Sequence, residues 1–220
     1  PPRPWKVSCP RLQKKLGNSI TLDAGGRICQ NSTMKTFFGT LIFGLGAALA
    51  QDLPLIETDQ VQPTSVNAAR FVEALGYTGA ALPEETARAF SEAQKLAGEN
   101  RVEAIQQALD PLCLAMVTIN PESRVSIEPG PAAARLIVGE CMLFPVKVHN
   151  EAGVTAELGI GSPQIVRDGA QPSEDRWLMA EWFTDRPLQP RLSGNELEYR
   201  LLLLWAGESG RRSAVLNVDV

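Results

Sequence analysis

The chain has 220 residues, 21 basic against 25 acidic, a formal net charge of −4 and one histidine. The acidic excess, which widens to 14 basic against 24 acidic once residues 1–50 are set aside, argues against nucleic acid or an anionic membrane surface as a partner, since like charges repel. A single histidine argues against the multi-histidine centres that hydrolytic metals use.

Residues 1–33 carry six basic side chains (Arg3, Lys6, Arg11, Lys14, Lys15, Arg27) and one acidic one, Asp23, with no sustained apolar period. They read as an upstream segment outside the fold, or as the front of a long basic leader. Residues 34–50 read as a secretory signal peptide. Lys35 is the basic start, residues 37–47 are the apolar stretch, and Ala48-Leu49-Ala50 is the small-x-small cleavage pattern, with Gln51 as first mature residue. The stretch is short of the ~20 residues that span a bilayer, so cleavage is expected rather than anchoring. The expected location is secreted or periplasmic, with no membrane insertion after cleavage. Cleavage leaves 14 basic and 24 acidic residues, and two of the four cysteines, Cys113 and Cys141.

Residues 51–64, with Pro54 and Pro63, read as a linker. Residues 65–111 read as a helical unit. Ala68, Phe71, Val72 and Leu75 recur at helical spacing, with Gly76 as a stop. Pro83, Glu84 and Glu85 suit a helix start; Ala87, Phe90 and Ala97 continue one face, with Gly98 as a C-terminal cap. Asn100 with Glu103 resembles a capping box ahead of Val102, Ile105 and Leu109, and Pro111 ends that helix.

From residue 112 to 220 the period becomes two. Alternating stretches around 115–119, 124–128, 142–148, 176–183, 197–205 and 214–220, with a weaker one near 155–161, predict about seven strands. Turns such as Asn120-Pro121 and Glu128-Pro129-Gly130-Pro131 join them. The expected fold class is α+β: a short helical unit followed by an antiparallel immunoglobulin-like β-sandwich. Pro145 points to an edge or a bulge. The expected core is Val117, Ile119, Phe144, Val146, Val148, Tyr199, Leu201, Leu203 and Trp205. The last strand runs to Val220 without a stop signal, which reads as a sandwich continuing into a longer protein.

Residues with chemical potential are few. His149 shares a strand face with Lys147, read as solvated, and no nucleophile-elbow pattern accompanies it. Three carboxylate pairs occur: Glu84/Glu85 suits a helix start, Glu174/Asp175 lies in a polar loop, and Glu196/Glu198 stands at a strand start with Glu198 and Arg200 on the side away from the core. Gly159-Ile160-Gly161-Ser162 is too short to cradle a phosphate. Catalytic, cofactor-binding and metal-binding residues are therefore expected to be none, and no cofactor is implied. Cys113 and Cys141 could pair in an oxidising compartment or remain two free thiols. Trp177 and Trp182 could form a platform for a glycan, or belong to the core.

Two stretches carry a resemblance: Cys113-Leu114-Ala115-Met116-Val117-Thr118-Ile119-Asn120-Pro121-Glu122-Ser123-Arg124-Val125, and Phe144-Pro145-Val146-Lys147-Val148-His149-Asn150-Glu151-Ala152-Gly153-Val154-Thr155-Ala156. Together they resemble the N-terminal region of large secreted bacterial proteins with a downstream metallohydrolase domain of the polymerase-and-histidinol-phosphatase type. Cys141 and Met142 depart from the Gly-Trp-Arg type of sequence expected there, which sets against a bridge to Cys113. The resemblance implies a non-catalytic accessory or interaction domain whose partner is a downstream domain or another protein. The alternatives are the front end of a metal-dependent hydrolase and a carbohydrate-binding module.

Overall fold

The computed structural model describes residues 19–23, 27–29, 52–166 and 170–220, the first two stretches as backbone alone. The proposed signal peptide at 34–50 lies outside the described residues. The described chain opens on β1 (Ser19–Asp23) and β2 (Arg27–Cys29). Three helices follow, α1 (Val61–Tyr77), α2 (Glu84–Ala93) and α3 (Glu99–Leu109), and then a 3-10 turn at Asp110–Leu112. The remaining strands are β3 (Ala115–Ile119), β4 (Val125–Pro129), β5 (Cys141–Asn150), β6 (Gly159–Gly161), β7 (Leu178–Trp182), β8 (Leu197–Ala206) and β9 (Ser213–Asp219).

The helices follow their apolar spacing. Ala68, Phe71, Ala74 and Leu75 line the buried face of α1, and Phe90 and Ala93 that of α2. The ends differ from expectation. Gly76 does not stop α1, which runs to Tyr77; the Thr78 hydroxyl reaches back to the carbonyls of Ala74 and Leu75. Helix α2 ends at Ala93, before Ala97. Gly98, at φ +59°, begins α3 rather than capping α2. Asn100 is thus inside the first turn of α3, so it is no cap and the expected capping box does not form.

Each predicted strand of the 112–220 region forms, and the fold is α+β. The pairing differs from the all-antiparallel expectation. The five-stranded sheet has the order β4–β3–β5–β8–β7, and β3 runs parallel to β5 with Ala115 opposite Val146. Alternation records which side of a strand is buried, not which strand lies beside it. The β3–β4 hairpin occupies one edge of β3, and the connection at 130–140 brings β5 to the other edge in the same direction. Pro145, expected at an edge or bulge, stands in a central strand. It lies one residue before pairing with β3 begins, so the ladder there loses no N–H, and its carbonyl accepts the Leu114 N–H at 2.8 Å. Gly130 permits a close return: a Cβ there would stand 2.2 Å from the Cys113 carbonyl oxygen.

A second sheet has the order β2–β1–β9–β6 and is antiparallel throughout. It therefore draws two strands from residues 1–33, which the sequence placed outside the fold.

The five-stranded sheet is covered on both faces. Val117, Ile119, Phe144, Val146, Val148, Leu202 and Leu204 pack with Leu216 and Val218 of β9. On the other face, Met116, Leu197, Tyr199 and Leu201 pack under Phe71, Ile105 and Leu109 of the helices. The Phe71 and Tyr199 rings lie 5.6 Å apart, tilted. The face of Lys147 is therefore not solvated, and Lys147 is 0% exposed. Leu203 and Trp205, expected in the core, are only half-buried. Residues 52–60, expected as loose linker, lie against the helical layer with Leu53, Ile56 and Thr58 buried.

Candidate functional site

The helix-side face holds a buried polar cluster. Asp110 enters it at the turn that Pro111 forces after α3; Lys147 comes from β5 and Tyr199 from the facing position of β8. Lys147 Nζ donates to Asp110 Oδ2 at 2.6 Å, and the Tyr199 hydroxyl to Asp110 Oδ1 at 2.8 Å. Burial pushes the Asp110 carboxyl up, and the Lys147 and Tyr199 contacts pull it back. Burial pulls Lys147 down against the same carboxylate. Tyr199 is raised well above its ordinary range by burial, with the Asp110 charge adding to it. Cys113 lies beside them, its thiol raised by burial and then by Asp110, with Sγ donating to the Leu109 carbonyl at 3.6 Å.

Lysine, carboxylate and phenol are acid–base groups, but here their hydrogen bonds are filled from within the fold. The second contact of Lys147 Nζ is to the Pro54 carbonyl, at 2.7 Å. Gln106 of α3 adds a two-sided clamp on Ile56, accepting its N–H at 2.7 Å and donating to its carbonyl at 2.9 Å. The cluster thus fastens residues 52–60 to the sheet. Fully buried groups with filled partners stabilise structure better than they serve a substrate.

The accessible polar site lies beside it. A cleft of about 240 Å³ opens between α1 and the 187–195 loop, along the part of β8 that β7 does not cover. Arg70, Arg191, Arg200 and Glu198 line it. Glu198 is 1% exposed, and its Oε1 accepts the Ser193 N–H at 2.8 Å and the Ser193 hydroxyl at 2.7 Å. Burial raises its carboxyl; the Ser193 hydrogen bonds and the Arg200 charge oppose the rise. Arg200 is 3% exposed. It donates to the carbonyls of Gln189, Pro190 and Arg191, while its Nε has no hydrogen-bond partner among the described residues. Burial lowers its pKa, against the pull of Glu198. Asn67 of α1 seals the adjacent strand edge by accepting the Tyr199 N–H at 2.7 Å.

The residues singled out from sequence are not brought together here. Cys113 and Cys141 are free thiols, one buried and one exposed. Leu114 is bonded to Pro145, so Cys113 is level with Phe144 and three residues from Cys141 along β5. Three residues of strand span about 10 Å, beyond the reach of a disulfide. Trp177 is 2% exposed and belongs to the core, so it offers no face to a sugar. Trp182 is half-buried on the edge strand β7, with an indole N–H that has no partner among the described residues. His149 is half-buried, 3.4 Å from Glu151 and 4.0 Å from Glu196.

Asp110 and Gln106 are not singled out by the sequence, whereas Glu198, half of the Glu196/Glu198 carboxylate pair, and Arg200, both expected on the side of their strand away from the core, are buried. A signal existed for the last two, because they are the two charges in a ten-residue strand of otherwise apolar residues and one tyrosine. Lys147 between Val146 and Val148 carries the same mark. Among the described residues, no three His, Cys, Asp or Glu side chains are placed to hold a metal, and no helix is long and apolar enough to cross a membrane. Compared with protein-family models, curated proteins and solved structures, the chain gives no match. Its functional reading rests on the geometry of the clamp and the cleft.

Proposed function

We propose that this chain is a non-catalytic accessory domain of a secreted or periplasmic protein, the N-terminal part of a longer polypeptide, and that it acts by binding or by positioning a neighbour. One observation carries the reading. The buried ionisable cluster closes on Pro54, four residues after the proposed cleavage point, so its reactive groups serve to dock the start of the mature chain. The resemblance to the front region of secreted metallohydrolases supports the same role. The finer reading of the β region as an immunoglobulin-like sandwich draws support from the apolar core between the two sheets, with the parallel β3–β5 pair as its departure from that pattern.

The test begins with expression from Met34 in a bacterium that has a periplasm. The expected product is periplasmic and starts at Gln51, so that β1 and β2 are removed and β9 keeps only β6 beside it in the second sheet. Cytoplasmic product that starts at Met34 would overturn export. Lys147→Met tests the role of the cluster. A lower melting temperature is expected. Loss of a hydrolytic turnover with an unchanged melting temperature would overturn the non-catalytic reading.

A further inference from the structure

The cleft between α1 and the 187–195 loop is positively charged on a chain of net charge −4. Three arginines line it from three separate pieces of chain: Arg70 from α1, Arg191 from the loop and Arg200 from β8. One carboxylate faces them, Glu198, and its Oε1 is already occupied by two donors from Ser193. Arg200 is held in place by carbonyl dipoles, with Nε unbonded. Glu198 offsets one of the three arginine charges, and the two that remain favour an arriving anion, because the attraction acts where water is scarce. Arg70 and Arg191 are exposed at the mouth and can close on that anion. Guanidinium forks match planar carboxylates in two-point contacts. Pro63, Val66 and Leu188 supply an apolar wall for the carbon skeleton behind such a group.

We propose that this cleft binds a carboxylate, presented by an acidic peptide side chain or by a small organic acid. The proposal deepens the reading of the chain as a binding domain and involves no chemical change in the ligand. Titration calorimetry on the full chain at low salt tests it, with four probes: glutarate, tetraglutamate, tetraglutamine and inorganic phosphate. One or both carboxylate probes should bind and tetraglutamine should not. Tighter binding of tetraglutamate assigns the site to peptides, and tighter binding of glutarate to free acids. Arg70→Ala and Arg191→Ala, both on exposed side chains, should each weaken binding about tenfold, the scale of one charged hydrogen-bonded contact. Lys95→Ala, on an exposed cation outside the cleft, should leave it unchanged. Melting curves establish that the variants fold. Three results would overturn the proposal: neither carboxylate binds, phosphate binds more tightly than both, or folded arginine variants bind like the parent. Such a failure alongside correct processing at Gln51 would leave the exported-domain reading standing; failed processing with intact carboxylate binding would do the reverse.

Discussion

The two faces of the five-stranded sheet solve burial in different ways. The face toward β9 is dry: valines, leucines, isoleucine and phenylalanine meet their like. The face toward the helices is as deeply buried, yet it holds Asp110, Lys147 and Tyr199 in a bonded network, with Gln106 clamping Ile56. Apolar packing on the first face tolerates many partners, since it has no direction. The second face needs each donor and acceptor in place, and so it specifies where residues 52–60 must lie.

The largest expected effect breaks that second face. Asp110→Ala leaves the Lys147 ammonium buried without its carboxylate and should cost about 3–5 kcal/mol in urea unfolding. Asp110→Leu combined with Lys147→Met should recover most of that loss, because the pair itself contributes little net stability once both charges are gone. A double variant as weak as the single one would show that the network does more than neutralise itself.

A pair of truncations compares the faces directly. Leu201→Ala on the helix side and Leu204→Ala on the side toward β9 are both 0% exposed, and each should cost about 2–5 kcal/mol. If Leu201→Ala left the melt unmoved, the helical layer would not be packed as described.

A smaller effect sharpens the cleft. The Glu198 carboxyl is raised above its ordinary 4.5, mainly by burial. A raised folded-state pKa means the folded protein holds the proton more tightly than the unfolded chain. The stability this group contributes is therefore present below pH 4.5 and lost as pH rises through the folded-state value. Melts from pH 4 to 7 should show the parent losing stability relative to Glu198→Gln as pH rises. The opposite slope would mean that the Ser193 and Arg200 contacts outweigh burial.

The smallest effect falls on the thiols. Cys141→Ser, at an exposed strand start, should change stability by no more than about 0.5 kcal/mol. Cys113→Ser, in the sealed pocket beside Asp110, should cost more. Equal and large losses from both would indicate a bridge after all.

Much of the local structure is legible in the order of residues. Three helices and seven strands of the 61–220 region stand close to where apolar spacing placed them. Most of the expected core is buried, from Val117 and Ile119 to Tyr199 and Leu201. The site was far less legible. Asp110 and Lys147 are 37 residues apart, Lys147 and Pro54 are 93 apart, and Asn67 and Tyr199 are 132 apart. No short-range pattern announces such meetings.

Sequence alone determined the periodicities, and through them which segments are helix or strand, because burial of one side is written into the order of residues. Only the tertiary structure decided that β3 lies parallel to β5, that Pro145 can stand in a central strand, and that the face of Lys147 is dry. The physical reason is the same in each case. A strand's own residues state which sides avoid water, but the helical layer that covers the second side is encoded far away along the chain.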